Sequence, residues 1–201
     1  MKILLFGATG MIGRRLLSEL ERRGHEVTGV SRSGPVKGDV ADTAKLAAGY
    51  DAVISAIAPP RDGSPPEGPF LAAQRALIDG VRQAGVDRLI VVGGAGGLQV
   101  APGKDLVDTP DFPPMYKGEA LAQRASLEVY RSEAGDVDWT YVSPAAEIAP
   151  GDRTGTYRLG TDQLLTDANG QSFISAEDFA VAIVDELERH AHPRTRFCVA
   201  Y

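Results

Sequence analysis

The 201-residue sequence predicts an α/β fold, a doubly wound parallel sheet with helices on both faces. Short and almost purely apolar runs, such as residues 3–6 and 88–92, alternate with longer stretches of helical spacing. A strand that is apolar along its whole length is typical of a parallel sheet buried on both sides. The hydrophobic fraction of 43% and the charged fraction of 24% are ordinary for one globular domain of this length.

The first predicted strand ends in a glycine turn. Gly7, Gly10 and Gly13 follow the apolar run and lead into a helical pattern over residues 11–23. The first glycine permits the tight turn, the second lets the backbone approach a phosphate, and the third lets the helix pack close to the strand. The free N–H groups of the first helical turn then favour an anion. This arrangement predicts a Rossmann-type domain that binds a dinucleotide; the other interpretation is a glycine-rich turn without a ligand.

The next elements continue the alternation. A second strand is predicted over residues 27–31, and a short helix over 42–48. An apolar strand over 51–58 ends at the pair Pro59-Pro60. The stretch 61–69 is rich in proline and glycine and is therefore predicted to be a loop.

The middle of the chain repeats this pattern. Apolar residues at helical spacing predict a helix over 69–83, and a buried strand over 88–92 leads into a glycine-rich segment. A polar, proline-containing loop is predicted over 101–114, a helix over 116–132, and a strand over 138–142.

The last part of the chain has a different character. Residues 155–159 and 163–166, joined by Gly-Thr-Asp, predict a small hairpin. Ser175 precedes a helical pattern over 176–189, as in a capping box with Asp178 in the place usually held by glutamate. A final strand is expected over residues 195–200.

These elements predict a single domain. It spans residues 1–201, and residues 143–175 contribute a small C-terminal lobe on the substrate side.

Composition argues against several classes of protein. The net charge of −6 is unfavourable for a nucleic-acid surface. No apolar run approaches the roughly 20 residues of a membrane span, and the run before the first glycine is too short for a signal peptide. Cys198 is the only cysteine, and the three histidines form no ligand pattern. We expect a cytoplasmic, metal-free monomer or homodimer that binds a small-molecule acceptor, not nucleic acid or a membrane.

The end of the second strand selects between the nicotinamide cofactors. An acidic residue there would bind the ribose 2′-hydroxyl of NAD, whereas an arginine can pair with the 2′-phosphate of NADP. The sequence has Ser31-Arg32-Ser33 and no acid before Asp39. A guanidinium suits a phosphate, so NADP(H) is favoured over NAD(H). The alternative is that Arg32 is an ordinary solvated loop residue.

The sequence resembles the atypical short-chain dehydrogenase/reductases. The resemblance begins with residues 7–13, Arg32, residues 38–40 and residues 55–58. Further segments resemble the NAD(P)H-binding, NADH-flavin reductase-like subgroup, which is similar also to biliverdin reductase B and to NmrA-like proteins. These further segments are residues 92–98, 139–146, 150–155 and 174–180. The resemblance covers essentially the whole chain.

This resemblance implies a trough that binds the cofactor, lined by residues 56–58 and 93–95. Asp39 and Val40 would flank the adenine, and residues 143–146 would meet the nicotinamide amide. The subgroup often has serine where this chain has Gly97, which removes a hydroxyl near the reacting carbon. The cofactor-binding residues predicted in full are Gly7, Thr9, Gly10, Met11, Ile12, Gly13, Arg32, Asp39, Val40, Ala56, Ile57, Ala58, Gly93, Gly94, Ala95, Ser143, Pro144, Ala145 and Ala146.

One element of the wider superfamily is missing. Ordinary members reduce carbonyls with a Tyr-x-x-x-Lys dyad, and no tyrosine here has a lysine four residues later. Hydride delivery to a ketone makes a basic alkoxide, so a general acid contributes on the order of 10²–10⁴ in rate. Flavins and quinones give far less basic anions, and proximity to the nicotinamide can suffice for them.

The sequence therefore favours a reductase of flavins, quinones or similar conjugated acceptors. The alternatives are a pathway-specific ketoreductase or enoyl reductase with another proton donor, and a non-catalytic NADP-binding redox sensor of NmrA-like type.

Candidate acceptor-binding residues lie mostly in the loop after the glycine-rich segment. They are Phe112, Met115, Tyr116 and Arg153. The first three would form a stacking wall, and Arg153 would meet a flavin phosphate; the alternatives are a satellite core and a solvated or aspartate-paired arginine. Tyr116 and Lys117 are the candidate proton donors, and Glu147 is placed at the pocket mouth.

Overall fold

The computed structural model describes residues 1–201, with one eight-stranded sheet and two small sheets. The strands are β1 (Lys2–Phe6), β2 (Glu26–Ser31), β3 (Val36–Lys37), β4 (Ala52–Ser55), β5 (Arg88–Val92), β6 (Gln99–Ala101), β7 (Lys104–Asp105), β8 (Asp138–Ser143), β9 (Glu147–Ala149), β10 (Arg158–Gly160), β11 (Phe173–Ser175) and β12 (Thr195–Ala200). The helices are α1 (Met11–Arg22), α2 (Thr43–Leu46), α3 (Glu67–Ala84), α4 (Pro114–Glu133) and α5 (Ala176–Arg189). Short 3₁₀ turns at Val40–Asp42 and Leu106–Asp108 precede α2 and α4.

The strand order of the large sheet is β10-β12-β8-β5-β4-β1-β2-β3. Neighbouring strands are parallel, except that β10 is antiparallel to β12. After β1, the chain adds β2 and β3 on one side of β1. From β4 onward, the remaining strands of the large sheet lie on the other side of β1. This is the doubly wound, Rossmann-type α/β fold that the sequence predicts. In such sheets, ligands bind at the carboxyl ends of the strands where the order reverses.

Alternate residues of the strands face opposite layers of helices. Ile3 and Leu5 of β1 belong to the core beneath α1 and α5. Leu4 and Phe6 belong to the core beneath α3 and α4. Helix α1 packs against α5, and α3 packs against α4. Helices therefore cover both faces of the sheet, which explains why the strands are apolar on both sides.

Several predicted elements have the predicted bounds. They are the strand Arg88–Val92, the helix Ala176–Arg189 and the strand Thr195–Ala200. Helix α4 begins two residues earlier than predicted, because Pro114 occupies a first-turn position where proline costs no hydrogen bond. The predicted loop over 101–114 also contains β7 and a 3₁₀ turn.

The hairpin predicted over residues 155–159 and 163–166 is wrong. Strand β10 pairs with β12, and Gln163 forms only an isolated bridge with Gln99. Because β10 covers the outer edge of β12, it satisfies backbone groups that a local hairpin would leave unpaired.

The predicted cap of the last helix is half correct. The Ser175 hydroxyl accepts a hydrogen bond of 3.0 Å from the Asp178 backbone N–H, as expected of an N-cap. The Asp178 carboxylate does not reach back to the cap residue. It accepts hydrogen bonds from the Thr154 hydroxyl and the Gly155 backbone N–H, so it holds a distant segment.

Candidate functional site

The glycine turn after β1 has the geometry that the sequence predicts. Gly7 adopts φ +76°, and a Cβ there would lie 2.5 Å from the Ala56 carbonyl oxygen. A Cβ on Gly13 would lie 2.0 Å from the Gly7 carbonyl oxygen, so only glycine lets α1 approach β1 this closely. Gly10 is the N-cap of α1, and no side chain caps the helix. The first-turn N–H groups are therefore available to an anion.

The predicted cofactor-binding segments meet at one edge of the sheet. Residues 7–13, 56–58, 93–95 and 143–146 follow β1, β4, β5 and β8, which are adjacent and parallel. Their carboxyl ends therefore form one continuous trough. Arg32 follows β2, the next strand in the sheet, and extends this edge.

The adenine end of the predicted site contains two residues with local structural roles. The Asp39 carboxylate accepts a 3.2 Å hydrogen bond from the Ala41 N–H and caps the following 3₁₀ turn. The Val40 side chain is buried in the core beneath α3 and α4. Any contact of Val40 with an adenine therefore has to come from its backbone.

Two serine hydroxyls near the trough are buried without a hydrogen-bond partner. Ser55 ends β4, and Ser143 ends β8. A buried hydroxyl without a partner is costly, so a polar ligand group that reached it would gain a hydrogen bond. These hydroxyls and the uncapped start of α1 fit a dinucleotide with a polar nicotinamide amide.

The buried side chains of Tyr141 and Gln123 pack beneath the backbone of the trough at Gly93 and Gly94. A Cβ on Gly93 would lie 1.9 Å from the Tyr141 ring, and one on Gly94 would lie 3.2 Å from Gln123. The Tyr141 hydroxyl lies 2.9 Å from the Gln123 carbonyl oxygen and 3.1 Å from the Ser126 Oγ. Burial raises the pKa of Tyr141 to about 12, so the hydroxyl stays protonated. No local sequence pattern identifies this group of side chains, because Tyr141 belongs to β8 whereas Gln123 and Ser126 belong to α4.

The arginines near the glycine turn fall into two groups. Arg15 lies 2.8 Å from the Glu177 carboxylate and also donates to the Met11 carbonyl oxygen. Arg14 and Arg32 are exposed, and their side chains form no hydrogen bond or ion pair within the protein. Arg32 therefore has a free guanidinium directly after β2.

A cleft of about 750 Å³ opens beside the end of this trough that residues 143–146 form. The segment before α4, the start of β9 and the segment before β11 form its walls. The lining residues are Leu106, Thr109, Asp111, Phe112, Pro113, Ala146, Glu147, Asp167, Gln171, Ser172, Phe173 and Tyr201. The Phe173 and Tyr201 rings lie 5.8 Å apart at 45°, and they give this side of the cleft an aromatic surface.

The predicted acceptor residues are only partly brought together. Phe112 and Glu147 line the cleft, as the sequence suggests. Met115 and Tyr116 do not line it, and they are 80% and 53% exposed on the first turn of α4. This exposure excludes the alternative that they close a satellite core. Lys117 is also exposed and outside the lining.

The flavin-phosphate role suggested for Arg153 is not supported by its position. Its guanidinium donates hydrogen bonds of 2.8 and 3.0 Å to the Glu19 carboxylate on α1, and it does not line the cleft. The alternative pairing with a nearby aspartate is also wrong. Glu19 lies 134 residues away in sequence, so no local pattern identifies it as the partner.

Arg153 belongs to a strap, residues 151–157, that lies across α1 and α5. Besides the Arg153–Glu19 pair, the Gly151 N–H donates to Glu177 at 2.7 Å, and the Tyr157 hydroxyl donates to Asp185. Although burial alone would raise the pKa of Glu19, hydrogen bonds from Arg153, and from Arg22 and Arg23 at the end of α1, hold that pKa well below its usual range.

The structure contains no cluster of three or more His, Cys, Asp or Glu side chains that could hold a metal ion. None of its helices combines the length and the apolar character required to cross a membrane.

Comparisons with known proteins agree with this architecture. The model of the NAD(P)H-binding family matches residues 7–190. The uncharacterized protein YwnB of Bacillus subtilis is 39% identical, over 99% of this chain and 98% of its own.

Two solved structures extend the similarity to the fold. A "putative exported protein" from Burkholderia pseudomallei is 48% identical with a TM-score of 0.90, and all of both chains is covered. SP1627 from Streptococcus pneumoniae TIGR4, a "putative NADH-flavin reductase", is 34% identical with a TM-score of 0.86, over 100% of this chain and 99% of its own. These findings confirm the resemblance to the NADH-flavin reductase-like subgroup of the atypical short-chain dehydrogenase/reductases. The chain belongs to the NAD(P)H-binding family.

Proposed function

We propose that the protein is an NADP(H)-dependent oxidoreductase that transfers hydride to a flavin, a quinone or a similar conjugated acceptor. The observation that carries the proposal is the junction of two sites at Ala146. This residue ends the segment predicted to meet the nicotinamide, and it also lines the aromatic-walled cleft. A planar acceptor in the cleft would therefore lie beside the nicotinamide, so binding and orientation supply much of the catalysis.

Bound NADPH supplies the hydride, and the protein binds and orients both partners. The first-turn N–H groups of α1 would hold the pyrophosphate, and the Ser143 hydroxyl would be available to the nicotinamide amide. The cleft walls, with Phe112 and Phe173, hold the acceptor and exclude water from one side.

The cleft has no unengaged tyrosine and no lysine to serve as a proton donor, which favours an acceptor that needs none. Its one tyrosine, Tyr201, directs its hydroxyl to Ser175 and Asp178, each 2.7 Å away. No lysine lines the cleft. A ketone would require a proton donor at the oxygen that receives the negative charge, whereas a reduced flavin or quinone is protonated by water.

The preference for NADP(H) is supported by the free guanidinium of Arg32. The 2′-phosphate of NADP carries the charge and the acceptor oxygens that arginine binds best. No carboxylate stands at this position to receive a ribose 2′-hydroxyl.

The test is the oxidation of NADPH, followed at 340 nm, with riboflavin, FMN and a simple naphthoquinone as acceptors. We expect turnover with at least one conjugated acceptor and a lower KM for NADPH than for NADH. Cofactor binding should be measured separately by fluorescence titration. Tight binding without turnover on any acceptor would contradict the proposal and favour the non-catalytic redox sensor.

A further inference from the structure

The acceptor cleft is negatively charged. Asp111, Glu147 and Asp167 line it, and no lysine or arginine does. All three carboxylates belong to exposed residues. They come from three separate segments, so an acceptor in the cleft would face carboxylates on more than one side.

None of the three carboxylates forms an ion pair within the protein. The side chains of Asp111 and Glu147 form no hydrogen bond or ion pair. Asp167 accepts hydrogen bonds of 2.8 Å from the backbone N–H groups of Asn169 and Gln171. These hydrogen bonds, that of Gln171 first, lower the pKa of Asp167, so its charge persists at neutral pH.

The basic residues nearest in the chain do not offset this charge from within the cleft. Arg158 donates to the carbonyl oxygens of Thr166 and Tyr201, and its charge helps to lower the pKa of Asp167 from outside the lining. Arg153 is held by Glu19. Lys104 and Lys117 lie outside the lining.

We propose, building on the function proposed above, that this cleft selects uncharged conjugated acceptors, such as riboflavin or a simple quinone, and disfavours acceptors that carry a phosphate, sulfonate or carboxylate group. The physical reason is that an anionic substituent would approach carboxylates in a cleft that offers no cation to receive it. The apolar and aromatic walls contact the ring system, which neutral and anionic acceptors share.

The test compares two pairs of acceptors, in each of which one member carries an added anionic group. The first pair is riboflavin and FMN; the second is 1,2-naphthoquinone and its 4-sulfonate. Binding is measured by fluorescence quenching or calorimetry with saturating NADP⁺, so no turnover is required. At low ionic strength we expect the neutral member to bind about tenfold more tightly, and we expect added salt to narrow this ratio.

The decisive variant combines Asp111→Asn with Glu147→Gln, because neither side chain has a structural partner. In this variant, the affinity for the neutral acceptor divided by the affinity for the anionic acceptor should fall by about threefold or more. The matched control is Glu21→Gln, which removes an exposed carboxylate of α1 outside the cleft and should leave the ratio unchanged.

Three outcomes would overturn charge selection: equal or tighter binding of the anionic members, a ratio that the double variant does not change, or binding of no member of either pair. Charge selection and hydride transfer can fail separately. If the neutral acceptors bind more tightly but are never reduced, charge selection stands and the proposed hydride transfer is wrong.

Discussion

The free guanidinium groups of Arg14 and Arg32 distinguish them from most arginines of this protein. Arg194 is the only other arginine whose side chain forms neither a hydrogen bond nor an ion pair. Burying or pairing a cation restricts its side chain, whereas an unpaired arginine beside an anion site can bind a ligand without first breaking an internal contact. Arg32 follows β2, where the ribose substituent of the cofactor is read.

We expect Arg32→Gln to weaken NADPH binding about tenfold or more and to leave NADH binding nearly unchanged. The variant removes charge-assisted hydrogen bonds to a group that only NADPH carries, and such bonds contribute about 1.5–3 kcal/mol. Fluorescence titration with each cofactor measures the effect. Arg194→Gln, just before β12 and therefore far from β2 in the sheet, is the control. Equal losses for both cofactors would contradict a role for Arg32 in reading the phosphate.

At the scale of elements, the strap over residues 151–157 joins the pair of helices α1 and α5. It contains no helix or strand of its own. Acidic residues of both helices hold it, through Glu19 on α1 and through Glu177, Asp178 and Asp185 on α5. This segment connects β9 to β10.

We expect Glu19→Gln to lower the free energy of unfolding by about 2 kcal/mol at pH 7, because the variant leaves its arginine partners without their shared charge. The folded-state pKa of Glu19 lies below its unfolded value of about 4.3. Its contribution is therefore fully present above about pH 5 and falls as the pH drops below that value. Urea unfolding at pH 7 and pH 3 should show a smaller difference between variant and wild type at pH 3.

Glu21→Gln provides the matched control for stability, because Glu21 lies on the same helix but is exposed and unpaired. It should change the free energy of unfolding by less than about 0.5 kcal/mol at either pH. A loss with Glu19→Gln that stays constant between pH 7 and pH 3 would show that the carboxylate charge does not stabilise the strap.

The elements predicted correctly are those whose signal is local. The glycine turn, β5, α5 and β12 are each specified by adjacent residues, so spacing alone identifies them. The hairpin over 155–166 failed for a different reason: its first strand pairs with β12, about 40 residues later in the chain. Likewise, Asp178 had the right type and spacing for a capping box, but the strap supplied competing donors.

At the scale of the whole molecule, the candidate site divides into a predictable part and an unpredictable part. The trough follows from the fold, because parallel neighbouring strands place their carboxyl ends at one edge. The cleft depends on where three irregular segments and Tyr201 meet. Phe112 and Glu147 line the cleft, as the sequence predicts, whereas Met115 and Tyr116 lie outside it. The helical register that exposes these two residues is set by the start of α4 at Pro114.

Cofactor binding should stabilise the entire domain, because the trough lies at the ends of β1 and of β4, β5 and β8, which are the central strands of the large sheet. We expect NADP⁺ at about 100 times its Kd to raise the free energy of unfolding by about 2.7 kcal/mol. For a domain of this size, that corresponds to an increase in Tm of about 5–10 °C. Differential scanning fluorimetry measures the shift. An equal shift with NAD⁺ at the same concentration would contradict the preference for NADP(H).

The large sheet ends on both sides in very short strands, the two-residue β3 and the three-residue β10. A strand of this length presents few open N–H and C=O groups, so it is a poor template for the addition of a strand from another molecule. Fibril-like growth through the sheet is thereby discouraged.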